Sequence, residues 1–290
     1  MPRTVLITGC SDGGLGAYLA VAFHNHGDRV FATARNPSKT ASLRPLGIKI
    51  LSLDVLSDES IKACVQEVSV LTGGSLDVLV NNAGGGYNAP VVEASIPQIQ
   101  DLFDLNVCSI IRTTQHFLPL LRNAKDGALI ANNTSVSSVF YLPWQAPYNA
   151  SKAAAAAITE NMRLELQPFG IKVVELKTGG VKSRFFENSA SRIQPVLSES
   201  SIYAPAREKI ESVLGGDLGV TQMSTDQWAR RVVKDLSKRS LPVQVWRGDS
   251  ATKAWLILTF LPVGFLDFVV KKMSGLDMLE KKLKEEAKTK

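Results

Sequence analysis

The sequence is poor in the residues from which disulfides and metal sites are built. It contains three cysteines, Cys10, Cys64 and Cys108, and no two of them have the spacing of a metal-binding or redox pair. Its three histidines include His24 and His26, which point in different directions if their segment is helical. We therefore expect no metal and no disulfide, as is typical of the reducing cytoplasm.

Long apolar segments are also lacking. The uncharged run at residues 254–266 is shorter than the roughly 20 residues of a spanning helix, and Pro262 and Gly264 interrupt it. Near the start, Arg3 is followed at once by the apolar strand-like run Thr4–Thr8. We therefore expect no secretory signal ahead of the fold.

The sequence has no recognisable nucleic-acid motif, although its net charge is +6. Residues 271–290 hold seven lysines and four acidic groups, so half of the excess lies in this short tail. We expect no nucleic-acid partner. The basic tail indicates either contact with a membrane surface or a contribution to solubility.

Short apolar runs alternate with segments of helical period along most of the chain, which implies a parallel sheet covered by helices on both faces. We predict an α/β fold with one doubly wound, Rossmann-type parallel sheet of about seven strands. It would occupy residues 1–250, followed by an interfacial C-terminal extension at residues 251–290. The predicted strands are Thr4–Thr8, Arg29–Ala34, Ile48–Leu53, Leu76–Asn81, Ala128–Asn133, Lys172–Leu176 and Pro242–Trp246, and the helices include Leu15–His26, Ser57–Leu71, Asn106–Leu121 and Ala150–Gln167.

One polar, irregular region interrupts this alternation at residues 182–225, with a helical candidate at Pro205–Val213. An insertion above the carboxyl edge of a parallel sheet is where a substrate lid would lie. The alanine run Ala153–Ala157 has two open interpretations: high helix propensity, or a close helix contact between subunits of a homo-oligomer.

A glycine-rich turn follows the first strand and opens a helix, with the sequence TGCSDGGLG at Thr8–Gly16. Glycines allow a tight turn and let backbone amides approach a pyrophosphate at the helix N-terminus. The pattern predicts a dinucleotide cofactor, with contacts from Gly9, Ser11, Gly14, Leu15 and Gly16.

The end of the second strand bears on which dinucleotide binds. NAD sites usually place a carboxylate there for the ribose 2′-hydroxyl. This strand is followed by Arg35, whose guanidinium would attract a 2′-phosphate, and Lys39 is a second candidate. The sequence therefore predicts NADP(H) rather than NAD.

Tyr148 and Lys152 are spaced so that both side chains share one helix face. A free tyrosine has a pKa of about 10, and a nearby cation lowers that pKa by favouring the phenolate. Ser135, thirteen residues before Tyr148, follows a strand and would donate to a carbonyl oxygen, with Ser137 and Ser138 as rivals. Such a Tyr/Lys pair taken alone is also common on surface helices.

Together these residues resemble the short-chain dehydrogenase/reductase family over about residues 3–248. The resemblance rests on the glycine-rich turn, Leu53–Val55, Asn81–Gly84, Asn106 in Leu105–Val107, Ser135, Tyr148 and Lys152. Within that family, the glycine loop, Lys177–Ser183 and the hydrophobic tail are similar to fungal NADPH-dependent 1-acyldihydroxyacetone-phosphate reductases and to ketoreductases of secondary metabolism.

Two features depart from the family pattern. The glycine loop is one residue longer than usual, which leaves open whether Gly13 or Gly14 approaches the cofactor. The usual Pro-Gly after the sixth strand is Thr178–Gly179 here, and the usual threonine beyond it is Ser183, which keeps a hydroxyl for the nicotinamide end.

The resemblance implies roles for most of these residues. Asp54 would lie near the adenine, Asn82 would hold the ribose side of the cofactor, and Val181 and Ser183 would contact the carboxamide. Lys152 would bind the nicotinamide ribose and lower the pKa of Tyr148.

In reduction, Tyr148 would protonate the alkoxide formed by hydride transfer, and Ser135 would stabilise the charge on its oxygen. Asn106 would kink its helix and anchor a water chain.

The segment between Ser135 and Tyr148 is rich in aromatic residues and would line the substrate pocket together with Gly85–Asn88 and Phe185–Phe186. Such a wall suits a bulky or acylated, lipid-like carbonyl substrate, although the rings would equally serve to pack the lid. Lys182 and Arg184 are candidates for binding an acidic head group.

Three functions are weighed. The first is an NADPH-dependent carbonyl reductase for a lipid-like substrate, and the second is a ketoreductase or alcohol dehydrogenase that tailors a secondary metabolite. The third is a non-catalytic NADP sensor on the same fold. For the tail, peripheral attachment to a membrane, such as the endoplasmic reticulum, or to lipid droplets is weighed against docking on the domain and a dimer contact.

Overall fold

A computed structural model describes residues 2–185, 196–217, 221–262 and 264–289. Its strands, in chain order, are β1 (Thr4–Ile7), β2 (Arg29–Ala34), β3 (Lys49–Ser52), β4 (Val78–Asn81), β5 (Leu129–Asn133), β6 (Lys172–Thr178), β7 (Val181–Lys182), β8 (Met223–Ser224) and β9 (Gln244–Arg247). Seven of them form one parallel sheet in the order β3-β2-β1-β4-β5-β6-β9, and β7 pairs with β8 beside it. This confirms the predicted doubly wound fold.

Helices cover both faces of the sheet. They are α1 (Leu15–Asn25), α2 (Asp58–Thr72), α3 (Ile96–Phe103), α4 (Ser109–Arg122), α5 (Ala146–Leu166), α6 (Arg207–Leu214), α7 (Thr225–Leu236), α8 (Ala251–Phe260), α9 (Asp267–Ser274) and α10 (Leu276–Thr289).

The central strands are buried on both faces because successive side chains point to opposite helix layers. Val5 and Ile7 of β1 belong to the cluster that contains Trp228 of α7. Leu6, between them, belongs to the cluster that contains Phe117 of α4. This arrangement explains why the strands read as continuous apolar runs rather than as alternating ones.

The order of the strands reverses beside β1, which pairs with β2 on one side and β4 on the other. In sheets of this kind ligands bind outside the carboxyl ends of the strands at that reversal. Gly9, Asn82 and Ser135 all follow strands at this edge, so the fold brings the predicted site residues together.

The predicted strands all occur, and each starts within two residues of its predicted position. Two helices differ. Helix α5 begins at Ala146 rather than Ala150, because Pro147 in its first turn needs no hydrogen-bond partner for its nitrogen. The helix predicted from Asn106 is preceded by α3 and by a π-helical turn, Asp104–Cys108, that leads into α4.

Part of the C-terminal extension docks on the domain. Leu279 of α10 packs with Trp144 and with Ile210 of α6, where the sequence had predicted a lid helix. Helices α8 and α9 instead leave large apolar side chains exposed, among them Phe260 and Phe268. Among the described residues, no helix combines the length and apolar character needed to cross a bilayer.

Candidate active site

Tyr148, Ser135 and Lys152 come together at the carboxyl edge of the sheet. Tyr148 and Lys152 lie one turn apart at the start of α5, and all three residues are buried. The Ser135 hydroxyl lies close enough to the Tyr148 hydroxyl to favour its phenolate. The Lys152 ammonium lies 5.9 Å from the centre of the Tyr148 ring and donates to the backbone oxygen of Asn133 at 3.0 Å. The sequence-predicted trio is therefore one cluster.

The pKa of Tyr148 moves in the direction opposite to the one predicted. Burial raises it to about 12, and the hydrogen bond with Ser135 lowers it only in part. Burial also lowers the pKa of Lys152 to about 8. The prediction was wrong because desolvation penalises both charged forms, and the sequence carries no measure of burial. A neutral phenol is the form that can donate a proton.

The three candidate serines differ in what they contact. Ser135 precedes the single helical turn Val136–Ser138, and its hydroxyl oxygen accepts a hydrogen bond from the Ser137 amide at 3.1 Å. The Ser138 hydroxyl instead accepts from the Lys177 ammonium at 2.8 Å. Ser135 is thus the serine beside the Tyr148 hydroxyl, as the thirteen-residue spacing predicted.

Asn106 lies buried in the π-helical turn between α3 and α4. Its amide nitrogen donates to the Gly85 carbonyl at 2.9 Å and to the Ser151 hydroxyl at 3.0 Å. Its amide oxygen accepts from the Gly85 backbone nitrogen at 2.9 Å. The side chain therefore joins the helix, the loop after β4 and α5. Its predicted irregular helix is present, and its role in anchoring water stays a prediction.

A chain of hydrogen bonds connects the Tyr148 cluster to the glycine-rich turn. Asn133, whose carbonyl holds Lys152, donates from its side chain to Asn82 at 2.9 Å. Asn82 in turn donates to the Thr8 carbonyl at 2.9 Å. Thr178 donates to the Asn133 side-chain oxygen at 2.6 Å. Sequence analysis missed Asn133 and Thr178; the signal was a polar residue at the ends of two neighbouring strands.

The glycines of the turn allow a close packing that a side chain would prevent. A Cβ on Gly16 would lie 2.5 Å from the Gly9 carbonyl oxygen and 2.6 Å from the Asn82 side-chain nitrogen. Gly9 has a φ of +73°, which favours glycine. The start of α1 therefore packs closely against the chain that follows β1 and β4. The N-terminus of α1, where a pyrophosphate would bind, lies at the carboxyl edge of the sheet.

The two adjacent glycines of the longer loop, Gly13 and Gly14, have different conformations and different roles. Gly13 has a φ of +77°, and a Cβ there would lie 2.9 Å from the side chain of Arg184. Gly14 is extended and directly precedes Leu15, the first residue of α1, while its amide donates to the Ser11 carbonyl at 3.0 Å. Gly13 is thus the turn residue, and Gly14 leads into the helix.

The residues predicted to bind the adenosine half of the cofactor follow strands β2 and β3. Arg35 directly follows β2, and both Arg35 and Lys39 are exposed. The Lys39 carbonyl accepts from the Asp12 amide at 2.7 Å, so this segment contacts the glycine loop. Asp54, near the end of β3, is half-buried and accepts from the Leu56 amide at 3.1 Å.

The residues predicted to meet the nicotinamide end lie next to the same loop. Val181 pairs with Met223, and Ser183, the first residue after β7, is half-buried. The next amide, that of Arg184, donates to the Gly13 carbonyl at 3.4 Å. Position 179 requires glycine even though the usual proline before it is absent. A Cβ there would lie 2.5 Å from the backbone oxygen of Asp249, which follows β9.

Aromatic side chains surround the cluster, in two groups. The Phe185 ring lies 5.4 Å from the Tyr148 ring, with buried Tyr87 in the same apolar cluster. The Trp144 ring instead meets Tyr203 edge-on at 5.0 Å, among residues of α6 and α10. Phe185 therefore lies against Tyr148, whereas Trp144 packs against Tyr203 and residues of α6 and α10. Phe186 lies outside the described residues.

Comparisons with known proteins agree with this geometry. Residues 3–194 match the family model described as short chain dehydrogenase. A short-chain dehydrogenase/reductase of Pestalotiopsis microspora is 45% identical over 283 residues, 97% of each chain. A Schizosaccharomyces pombe protein named NADPH-dependent 1-acyldihydroxyacetone phosphate reductase is 40% identical over 72% of this chain and 70% of its own.

Among solved structures, a short-chain dehydrogenase from Streptomyces avermitilis superposes with a TM-score of 0.74. The match covers 97% of this chain and 98% of that one, at 26% sequence identity. The similarity thus extends beyond the sheet to most of the chain.

Proposed function

Because the chain belongs to the short-chain dehydrogenase family and is an oxidoreductase, we propose that it uses NADPH to reduce the carbonyl group of a bulky apolar or acylated substrate. The observation that carries this proposal is the buried pair of hydroxyls on Tyr148 and Ser135, with the Lys152 ammonium beside the Tyr148 ring. Residues 1–250 would form the catalytic domain, with residues 182–225 as its lid and residues 251–290 as an extension.

The glycine-rich turn leads into α1, whose N-terminal amides no side chain caps, and this fits a dinucleotide pyrophosphate. Arg35, exposed after β2, has the charge and the position to bind a 2′-phosphate. The S. pombe relative is named as NADPH-dependent, which supports the same choice. The residues we propose for cofactor binding are Gly9, Ser11, Gly14, Leu15, Gly16, Arg35, Asp54, Asn82, Tyr148, Lys152, Val181 and Ser183.

Proton transfer would use the chain's own hydroxyls. A nicotinamide, when bound, supplies hydride. A substrate carbonyl oxygen placed between Ser135 and Tyr148 would accept a hydrogen bond from each, and Tyr148 would release its proton to that oxygen. The Lys152 ammonium stabilises the resulting phenolate, and Asn106 holds α5 and the loop after β4 in place.

The substrate class follows from the surroundings of Tyr148. Phe185 and Tyr87 make the site apolar, which favours a substrate with a large apolar body. The name of the S. pombe relative supports an acylated dihydroxyacetone phosphate. The same residues would also serve a ketoreductase that tailors a secondary metabolite, or the reverse oxidation.

The experiment is a screen of NADPH consumption against three carbonyl classes: acyl-dihydroxyacetone phosphates, steroid-like ketones and aromatic polyketides. We expect turnover with at least one class and a preference for NADPH over NADH. A protein that binds NADPH but consumes none with any class would be a sensor, which would contradict the proposed reaction.

We further propose that α8 and α9 rest on an anionic lipid surface, such as that of a lipid droplet or the endoplasmic reticulum. Phe260 is 73% exposed, Phe265 63% and Phe268 78%, which is a high density of exposed aromatic rings. Lys271 and Lys272 follow them and match a negative surface in charge.

A further inference from the structure

A buried ion pair lies directly behind the segment that carries Ser135. Lys177 and Glu175, both on β6, have their side-chain charges 2.6 Å apart, and the two side chains are only 3% and 6% exposed. Burying two charges is costly unless each is paired and hydrogen-bonded. The hydrogen-bond partners of the Lys177–Glu175 pair therefore show which part of the structure the pair stabilises.

The pair binds the chain on both sides of Ser135. Before it, the Thr134 hydroxyl donates to Glu175 at 2.8 Å. After it, the Ser138 hydroxyl accepts from the Lys177 ammonium at 2.8 Å. The second Glu175 oxygen accepts from the Gln244 amide at 2.9 Å, so the network is also anchored to β9.

The segment between these two contacts has little support of its own. Strand β5 ends at Asn133, and the turn Val136–Ser138 is a single 3₁₀ turn. Such short turns are marginal without tertiary contacts. Among the described residues, and apart from its contact with Tyr148, Ser135 is held only from within this turn: its hydroxyl accepts from the Ser137 amide at 3.1 Å and its carbonyl from the Ser138 amide at 3.0 Å.

We propose that Lys177 and Glu175 are positioning residues that hold Ser135 where its hydroxyl meets Tyr148. By fixing Thr134 and Ser138, they fix the two ends of a five-residue segment with Ser135 near its start. Neither residue touches the place where a carbonyl oxygen would sit. The inference rests on the proposed reductase function, since it assigns Ser135 a part in the reaction.

The test is a double-mutant cycle on kcat, with phenanthrenequinone and hexadecanoyl-dihydroxyacetone phosphate as probe substrates. Glu175→Gln and Lys177→Met are combined, so that no unpaired charge is left buried. We expect the combined variant to lower kcat about tenfold or more, because misplaced groups lose most of their effect. In a Ser135→Ala background the same change should lower kcat less than about twofold, since Ser135 no longer contributes.

A second ion pair with a buried acid provides the matched control. Arg3 and Asp28 are 2.9 Å apart, with Asp28 only 4% exposed, and they lie before β1 and β2, at the opposite edge of the sheet. Arg3→Met with Asp28→Asn should lower the melting temperature without changing kcat. The affinity for NADPH should stay unchanged in both double variants.

Ser138→Ala gives a milder variant that leaves the ion pair intact, and it serves if the double variant does not fold. It should lower kcat about threefold in the wild-type background and leave the Ser135→Ala variant unaffected. Equal losses in both backgrounds, or an equal kcat loss in the Arg3/Asp28 control, would show that the network only stabilises the fold. A wild-type protein inactive with every ketone would instead refute the proposed function.

Discussion

The indole nitrogen of Trp144 donates a hydrogen bond to the Ser274 carbonyl at 2.9 Å, across 130 positions of sequence. Trp144 lies between Ser135 and Tyr148 and has a φ of +70°, a conformation that is strained for a bulky residue. The strain persists because α6 and the C-terminal extension pack around its ring. The extension therefore packs on the segment that the sequence predicted to line the substrate pocket.

Trp144→Phe should keep an aromatic ring at this position, although a smaller one, and remove the indole N–H that bonds to Ser274. Leaving that carbonyl unpaired costs about 1–2 kcal/mol, so the melting temperature should fall. We expect the KM for hexadecanoyl-dihydroxyacetone phosphate to rise about fivefold, with NADPH affinity unchanged, as measured by steady-state kinetics. Trp255→Phe, on the exposed face of α8, is the control. An unchanged KM would show that the contact between Trp144 and the extension has no effect on substrate binding.

The pH dependence of reduction should follow Lys152. Burial lowers its pKa to about 8, whereas burial raises the pKa of Tyr148 to about 12. Below about pH 8 Lys152 is charged and Tyr148 holds its proton, so kcat should be level. As the pH rises through about 8, Lys152 loses the charge that stabilises the phenolate, and kcat should fall. Lys152→Met should be slow and should lack this descending limb; a limb that persisted in that variant would assign the titration to another group.

Arg35→Ala should weaken NADPH binding and leave NADH binding unchanged. A charge-assisted hydrogen bond to a phosphate contributes about 1.5–3 kcal/mol, so we expect Kd for NADPH to rise about tenfold or more. Arg44→Ala, an exposed arginine in the same region, is the matched control. Fluorescence titration with both dinucleotides distinguishes the outcomes, and an equal loss for NADPH and NADH would remove Arg35 from 2′-phosphate recognition.

The exposed rings of the extension should decide membrane binding. The full-length protein should float with vesicles that contain phosphatidylserine, and Phe260→Ser/Phe265→Ser/Phe268→Ser should not, because it removes most of the apolar area. Val70→Ser/Phe169→Ser removes exposed apolar residues elsewhere and should still float. Flotation that survives the triple change would contradict a lipid role, as would a dimer that the same change dissociates.

Sequence reasoning located all seven strands of the central sheet, because buried parallel strands leave unbroken apolar runs such as Thr4–Ile7. It also assigned Tyr148, Lys152 and Ser135 to one site, through their spacing together with the resemblance to the short-chain dehydrogenase/reductase family. It missed the early start of α5 and the direction of the Tyr148 pKa shift, which depends on burial.

Sequence reasoning could not predict contacts between residues that are far apart in the chain. Lys177 and Glu175 are two positions apart on one strand, but their partner Ser138 is 39 positions from Lys177. The docking of the extension depends on Trp144 and Ser274, which no local pattern connects. For that reason the sequence left docking and membrane contact as rival interpretations, whereas the structure has α10 docked and the apolar rings of α8 and α9 exposed.

The most direct test of the reductase mechanism is single-turnover oxidation of bound NADPH by Tyr148→Phe. This variant keeps the ring that packs against Phe185 and removes only the hydroxyl. We predict that it binds NADPH as tightly as the wild-type protein while its carbonyl-dependent oxidation rate falls at least about a hundredfold. Oxidation at the wild-type rate would contradict proton donation by Tyr148.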